Sequence, residues 1–180
     1  MQSPLTIMAL LGALALTGCD NNAFARRLLK HKPTTAQASG TYTLAVVNVD
    51  KVEEGLNAKI IAQQPVPSIV LLDDGSAEVS NFPMLPDSGN FNYAFVGFKS
   101  FKATSRILPV GSVSDGNSKT SEVFGLAIDP TESNLKTIAL SFVGESSPDG
   151  LVLTLYDGAR DQFLEFTKQT PEAAPGTGRQ

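Results

Sequence analysis

The sequence predicts a mainly β protein: an antiparallel meandering barrel or sandwich of about 7–8 strands with one short helix. Three observations predict it. Short runs alternate apolar and polar residues, as half-buried strands do. Asp-Gly and similar turn signals separate several of these runs. Only one stretch carries a helical period, which argues against a parallel α/β sheet.

The β-domain is placed over residues 40 to 168. "GTYTLAVVNV" (40 to 49) alternates, with Tyr42, Leu44 and Val46 on one side. "DKVEEGLNAKIIAQQ" (50 to 64) sets Val52, Leu56 and Ile60 at the i, i+4, i+8 spacing of a helix face. Asp50 and Glu53 suit an N-terminal capping box. The helix is expected across one end or open face of the sheet, stopped by Pro65 and Pro67. "SIVLLDDGSAEVSNF" (68 to 82) reads as a hairpin whose Gly75 supplies the positive φ of the turn. Phe124, Leu126, Ile128 and then Ile138, Leu140, Phe142 mark two more strands. "LVLTLYDGARDQFLEFTK" (151 to 168) is a second hairpin, alternating through Leu151, Leu153, Leu155 and back through Leu164 and Phe166. "QTPEAAPGTGRQ" (169 to 180) reads as a disordered tail.

"GTY" at the head of the first strand is similar to the Gly-x-Trp start of lipocalin-like proteins, with Tyr42 in place of the tryptophan. "LYDGARDQFLEFTK" resembles the last hairpin of small bacterial β-meander domains, which carry no known activity.

The N-terminus has a different character. "LTIMALLGALAL" (5 to 16) is an apolar run of 12 residues, whereas a membrane-spanning helix takes about 20. A short apolar run near the start that ends in small residues is the pattern of a secretory signal. Leu16, Thr17, Gly18 and Cys19 follow it, and they resemble a bacterial lipobox. That resemblance implies removal of residues 1 to 18 as a signal peptide. It also implies a diacylglycerol thioether on the Cys19 sulfur and an acyl chain on its new amine. It accounts for the single cysteine, since a thioether forms no disulfide. Two or more chains anchor stably where one binds reversibly, so the expected location is the cell envelope, lipid-anchored and facing the periplasm. In enterobacterial lipoproteins Asp after the lipidated Cys is an inner-membrane retention signal, and Asp20 stands there.

The 161 residues that follow Cys19 are near the usual size of one domain. Residues 19 to 39 are expected to be a lipidated Cys and flexible basic tether, with "RRLLKHK" (26 to 32) carrying four Lys/Arg and the sole histidine. Those cations suit either an anionic membrane surface or a solvated linker. Residues 33 to 180 hold 10 basic and 17 acidic residues, a net charge of −7. An acidic folded part with an extracytoplasmic address argues against nucleic-acid partners.

Little here suggests catalysis. His31 is the sole histidine and falls in the tether, away from any nucleophile in the β-domain. No Cys/His set for zinc occurs, so no metal and no cofactor is expected beyond the covalent lipid on Cys19. Asp73, Asp74, Asp115, Asp149, Asp157 and Asp161 sit by glycines, where turns use Asp for local backbone bonds. Loop calcium at Asp157 and Asp161 is the minor alternative.

Six of the 13 aromatic residues crowd into 82 to 101. If 91 to 98 is one strand, Phe91, Tyr93 and Phe95 line one face, while Val96 and Phe98 line the other. Both faces are then apolar, and either a covering element or ring exposure must follow. Exposed Phe91, Tyr93 and Phe95 flanked by Lys99, Lys102 and Arg106 would mark a partner-binding surface, with the polar loop 111 to 122 at its edge. The expectation is a non-enzymatic envelope lipoprotein that binds a protein partner or envelope component, as an assembly factor or a hydrolase or toxin inhibitor. The alternative is a carrier of a small apolar ligand in a hollow barrel; a third, an enzyme, needs convergent carboxylates.

Overall fold

A computed structural model describes residues 23–114, 119–155 and 162–170. Eight strands are found among them: β1 (Gly40–Asn48), β2 (Ser68–Leu71), β3 (Ser76–Pro83), β4 (Phe98–Ser114), β5 (Thr120–Pro130), β6 (Ile138–Val143), β7 (Gly150–Leu155) and β8 (Gln162–Lys168). Each pairs antiparallel with the next, and β8 returns to β1, closing a barrel. Strand β4 pairs with β3 from Phe98 to Thr104 and with β5 from Ala103 to Ser114.

The alternation of the strands sorts side chains to two sides of this wall. Leu126 and Ile128 of β5, Leu140 and Phe142 of β6, and Leu164 and Phe166 of β8 point inward and are buried. Val123, Val143 and Val152 point outward, yet they are also buried, in a second cluster. What covers them is the chain before β1. Helix α1 (Ala23–Arg27) lies on the outer wall, with Ala25 against that cluster. The Arg27 guanidinium reaches both carboxylate oxygens of Glu165 on β8.

Strands β5 and β6 pair only from Gly125 with Ser141 to Ile128 with Ile138. Beyond that the strands part, and residues 27 to 29 fill the gap. The Leu29 amide donates to the Phe142 carbonyl at 3.0 Å, and the Leu29 carbonyl accepts from the Phe124 amide at 2.9 Å. The Gly144 amide donates to the Arg27 carbonyl at 2.9 Å. Successive residues of an extended segment face opposite ways, so Leu28 joins the outer cluster and Leu29 the lumen, at 4% and 0% exposure. From there the chain crosses the end of the barrel at which β1 begins, forming helix α2 (Thr35–Ala38). The flexible tether expected up to residue 39 therefore gives way, from Ala23 onward, to a strap built into the wall. Two leucines side by side among cations supply the wedge.

Other expectations change too. The helix between β1 and β2 is α3 (Leu56–Ile61), shorter than 50 to 64. Gly55 is its N-cap at φ +75°, a conformation glycine adopts freely. Asp50 is not the N-cap residue and forms no capping box with Glu53; from outside the helix its carboxylate accepts from the first-turn Asn57 amide at 2.8 Å, while the Asn57 side chain accepts from the Val49 amide at 2.7 Å. In β1 a register shift between Leu44 and Val46 turns Val46 outward, at 42% exposure, and Val47 packs against the core. Residues 91 to 98 are not a strand: only the start of β4 at Phe98 is, and Asn90 and Phe91 have positive φ. Residues 111–114 and 120–122, expected in a polar loop, belong to the long β4–β5 hairpin. The β2–β3 hairpin turns at Gly75, φ +83°, as its residues predict.

Candidate functional site

The barrel has two differently built ends. At the end where β1 begins, Tyr42 is fully buried and its hydroxyl donates to the Ala38 carbonyl at 2.6 Å. The Lys168 ammonium donates to the Gln37 carbonyl at 2.6 Å and stands 5.7 Å from the Tyr42 ring centroid. Burial pushes the Tyr42 hydroxyl pKa well up, with the nearby charge of Asp149 adding to it. Desolvation lowers that of Lys168, against the pull of Asp149. Below this seal the lumen is filled: Phe82 stacks on Phe166 at 5.6 Å, and Ile69, Leu151 and Leu164 are fully buried beside them.

A cleft of about 470 Å³ opens between the strap and this end. Leu71, Ile107 and Leu126 line it together with Lys32, Thr34 and Asp73. Its volume is in the range of small-ligand sites. Residues 32 to 39, polar and without a period of 2 or 3.6, read as spacer and do not announce it. The signal that finds it is Thr34 with Gln37 three residues on, a capping box that the structure forms, with the Thr34 amide donating to the Gln37 side chain at 2.9 Å. Asp74 beside the cleft serves the turn: it accepts from the Ser76 hydroxyl at 2.6 Å and the Ser76 amide at 2.8 Å. Those two bonds hold its carboxyl below the usual range.

The far end is closed by α3, whose Leu56 and Ile60 are fully buried, and by the loop 84 to 97. That loop is tied down by backbone bonds between Met84 and both Gly97 and Val96, at 2.9 and 3.1 Å, and by a bridge between Asp87 and Tyr93. Ser88 and Asn92 bond across its tip, where the Asp87 carboxylate also accepts from the Gly89 amide at 2.9 Å. The tip turns through Asn90 and Phe91 at φ +55° and +58°. Left-handed backbone costs a residue such as Phe about 1–2 kcal/mol, and strain of this kind concentrates at functional segments. It holds the Phe91 ring half exposed, at 50%, on the same loop as Val96 at 62%. Ile61, at the end of α3, is 65% exposed. Phe95 and Tyr93 pack partly against the core. Phe95 meets Phe98 edge-on at 5.3 Å and lies under the Lys59 ammonium at 4.5 Å.

The structure thus places Phe91, Tyr93, Phe95 and Val96 on one loop at this rim and brings Lys59 of α3 onto Phe95. It does not gather Lys102 and Arg106 there. Both stand on the outer face of β4, Lys102 opposite Glu78 with 3.9 Å between charges and Arg106 bonded to Asp129 at 2.8 Å. Asp129 also accepts from the Thr137 hydroxyl at 2.7 Å. The Arg106 bond, then that of Thr137, keep the Asp129 carboxyl below its ordinary value despite partial burial. Lys99, exposed near the start of β4, is the cation closest in sequence to the loop.

The His31 Nε2 lies 3.0 Å from the Ser146 carbonyl on the surface. Among the described residues no three His, Cys, Asp or Glu side chains converge to hold a metal. Cys19, Asp20, Asp115, Asp157 and Asp161 lie outside the described residues. The fold and site define a closed eight-stranded antiparallel meander barrel, strapped at one end and presenting an aromatic rim at the other. Comparisons with family models, curated proteins and solved structures each found no match.

Proposed function

We propose that this chain is an envelope lipoprotein, anchored through Cys19, whose barrel binds a protein partner or envelope component at the far-end rim without catalysing a reaction. The observation that carries the binding reading is a filled lumen beside a rigid loop that spends backbone strain to hold Phe91 outward. Aromatic residues at the centre of an apolar patch are favoured anchors in protein interfaces. The lipobox residues Leu16 to Cys19 carry the anchoring. No described helix is long and apolar enough to cross a membrane, so in this reading attachment depends on the lipid. The partner is an extracytoplasmic protein, as for an assembly factor or an inhibitor of an envelope hydrolase or toxin.

A photo-crosslinking amino acid at Phe91 or Val96 in the native envelope tests this. A discrete protein adduct at these positions, absent when the crosslinker replaces Thr104, is the expected outcome. No adduct at either rim position counts against it. A second reading, small-ligand binding, has the 470 Å³ cleft in its favour rather than the lumen. Native mass spectrometry of envelope-purified protein, showing a bound small molecule released by Ile107→Trp, would favour that reading.

A further inference from the structure

We infer that one particular wall of the barrel, the outer face of β6, β7 and β8 beneath α1, lies against an anionic lipid leaflet; the inference rests on the lipidation of Cys19. Chain length makes the first argument. Four peptide steps separate Cys19 from Ala23, and fully extended they span at most about 14 Å. Ala23 begins α1, and α1 has no freedom to swing. Ala25 packs into the outer cluster of Val123, Val143 and Val152, the Arg27 guanidinium is bonded to Glu165 of β8, and its carbonyl is bonded to the Gly144 amide. A tether that ran to residue 40 would let the barrel float and tumble above the membrane; one that ends at residue 23 cannot. The wall that holds α1 is therefore the wall nearest the lipid.

Charge makes the second argument independently. Residues 33 to 180 carry a net charge of −7, so most of this domain's surface is repelled by an anionic leaflet. The outward positions of the described parts of β6, β7 and β8 are small, apolar or hydroxylic, among them Ala139, Ser141, Thr154 and Thr167. The ionisable residue among them is Glu165, and Arg27 neutralises it. Above this wall pass Arg26 and Arg27 of α1, while Lys32 lies further on, beside Leu71 and Ile107 at the cleft. Exposed acids lie elsewhere, among them Glu54 before α3, Asp73 and Asp74 at the β2–β3 turn and Glu132 after β5. One face is thus poor in acid and topped by cations, and it is the same face that the anchor reaches. Laid on this side, the barrel has its axis parallel to the leaflet, which leaves the Phe91 rim accessible to a neighbour in the same membrane.

Fluorophores on single introduced cysteines in the lipidated full chain test this, since Cys19 is blocked by its lipid. The reconstituted vesicles contain phosphatidylethanolamine, phosphatidylglycerol and a headgroup-labelled quencher lipid. Labels at Ala139 and Thr167, both exposed, should be quenched several-fold more than labels at Glu78 and Thr104. A long flexible Gly/Ser insertion before Ala23 should erase the difference while the protein still floats with the vesicles. Equal quenching at all four positions in protein that floats overturns the orientation but keeps the anchor. Protein that carries no lipid by intact mass and stays out of the vesicle fraction overturns both.

Discussion

The strap makes the most direct mechanical claim, and Leu29→Ala tests it. Leu29 has no exposed surface, and its backbone is bonded to Phe124 on one side and Phe142 on the other. Truncating a buried Leu to Ala removes its transfer energy and leaves a cavity, at a cost of about 2–5 kcal/mol. The cavity here lies between two strands that do not pair with each other at that level, so the wall has little means to close over it. About 3 kcal/mol is the expectation, and at roughly 2–4 °C per kcal/mol for a domain of this size the unfolding midpoint falls by about 6–12 °C. Thermal denaturation followed by circular dichroism, on the chain from Asp20 onward, measures this. Lys30→Ala and Lys32→Ala, at exposed neighbours, should stay within about 0.5 kcal/mol of the parent. If Leu29→Ala also stays within that margin, residues 23 to 39 are a tether and the orientation argued from them is lost.

Three further outcomes are expected. Asp129 has a folded-state pKa below its unfolded one, so its bond to Arg106 stabilises above about pH 4 and is lost as pH falls through the lowered value. The parent should exceed Asp129→Asn by about 0.2–1 kcal/mol at pH 7, and urea titrations at descending pH should show the gap closing. Tyr42 has a folded-state pKa above 10, so its contribution is complete below pH 10 and lost as pH rises beyond it. Tyr42→Phe should cost about 1 kcal/mol at pH 7 through the lost bond to Ala38 and flatten the alkaline decline of the melting temperature. Phe91→Asn places a residue tolerant of positive φ at the strained tip; stability should not fall, while capture of the rim partner should, read by chemical crosslinking in the envelope.

The strands were legible because each carries its own alternation: Leu126 and Ile128, Leu140 and Phe142, Leu164 and Phe166 all face the lumen as their spacing predicts. Barrel closure was legible only as a class, because it depends on β8 meeting β1, a pairing no local pattern announces. Bulges hid more. The shift between Leu44 and Val46 exchanges the faces midway through β1, and β4 keeps pairing through Pro109, which reads as a stop. The strap was hidden for a different reason. Leu28 and Leu29 lack any period because they serve two different cores, one on each side of a sheet. The aromatic rim was visible as a concentration of Phe and Tyr, but its geometry was not. Only the loop's backbone, turning through Asn90 and Phe91, decides which ring faces water.

The anchor supports both the location and the orientation argued above, and intact-mass measurement on protein extracted from membranes tests it most directly. The account predicts a chain that begins at Cys19, heavier than its sequence by a diacylglyceryl group and one acyl chain. A polypeptide that retains Met1, with a free thiol at Cys19 and recovered in the soluble fraction, would contradict it.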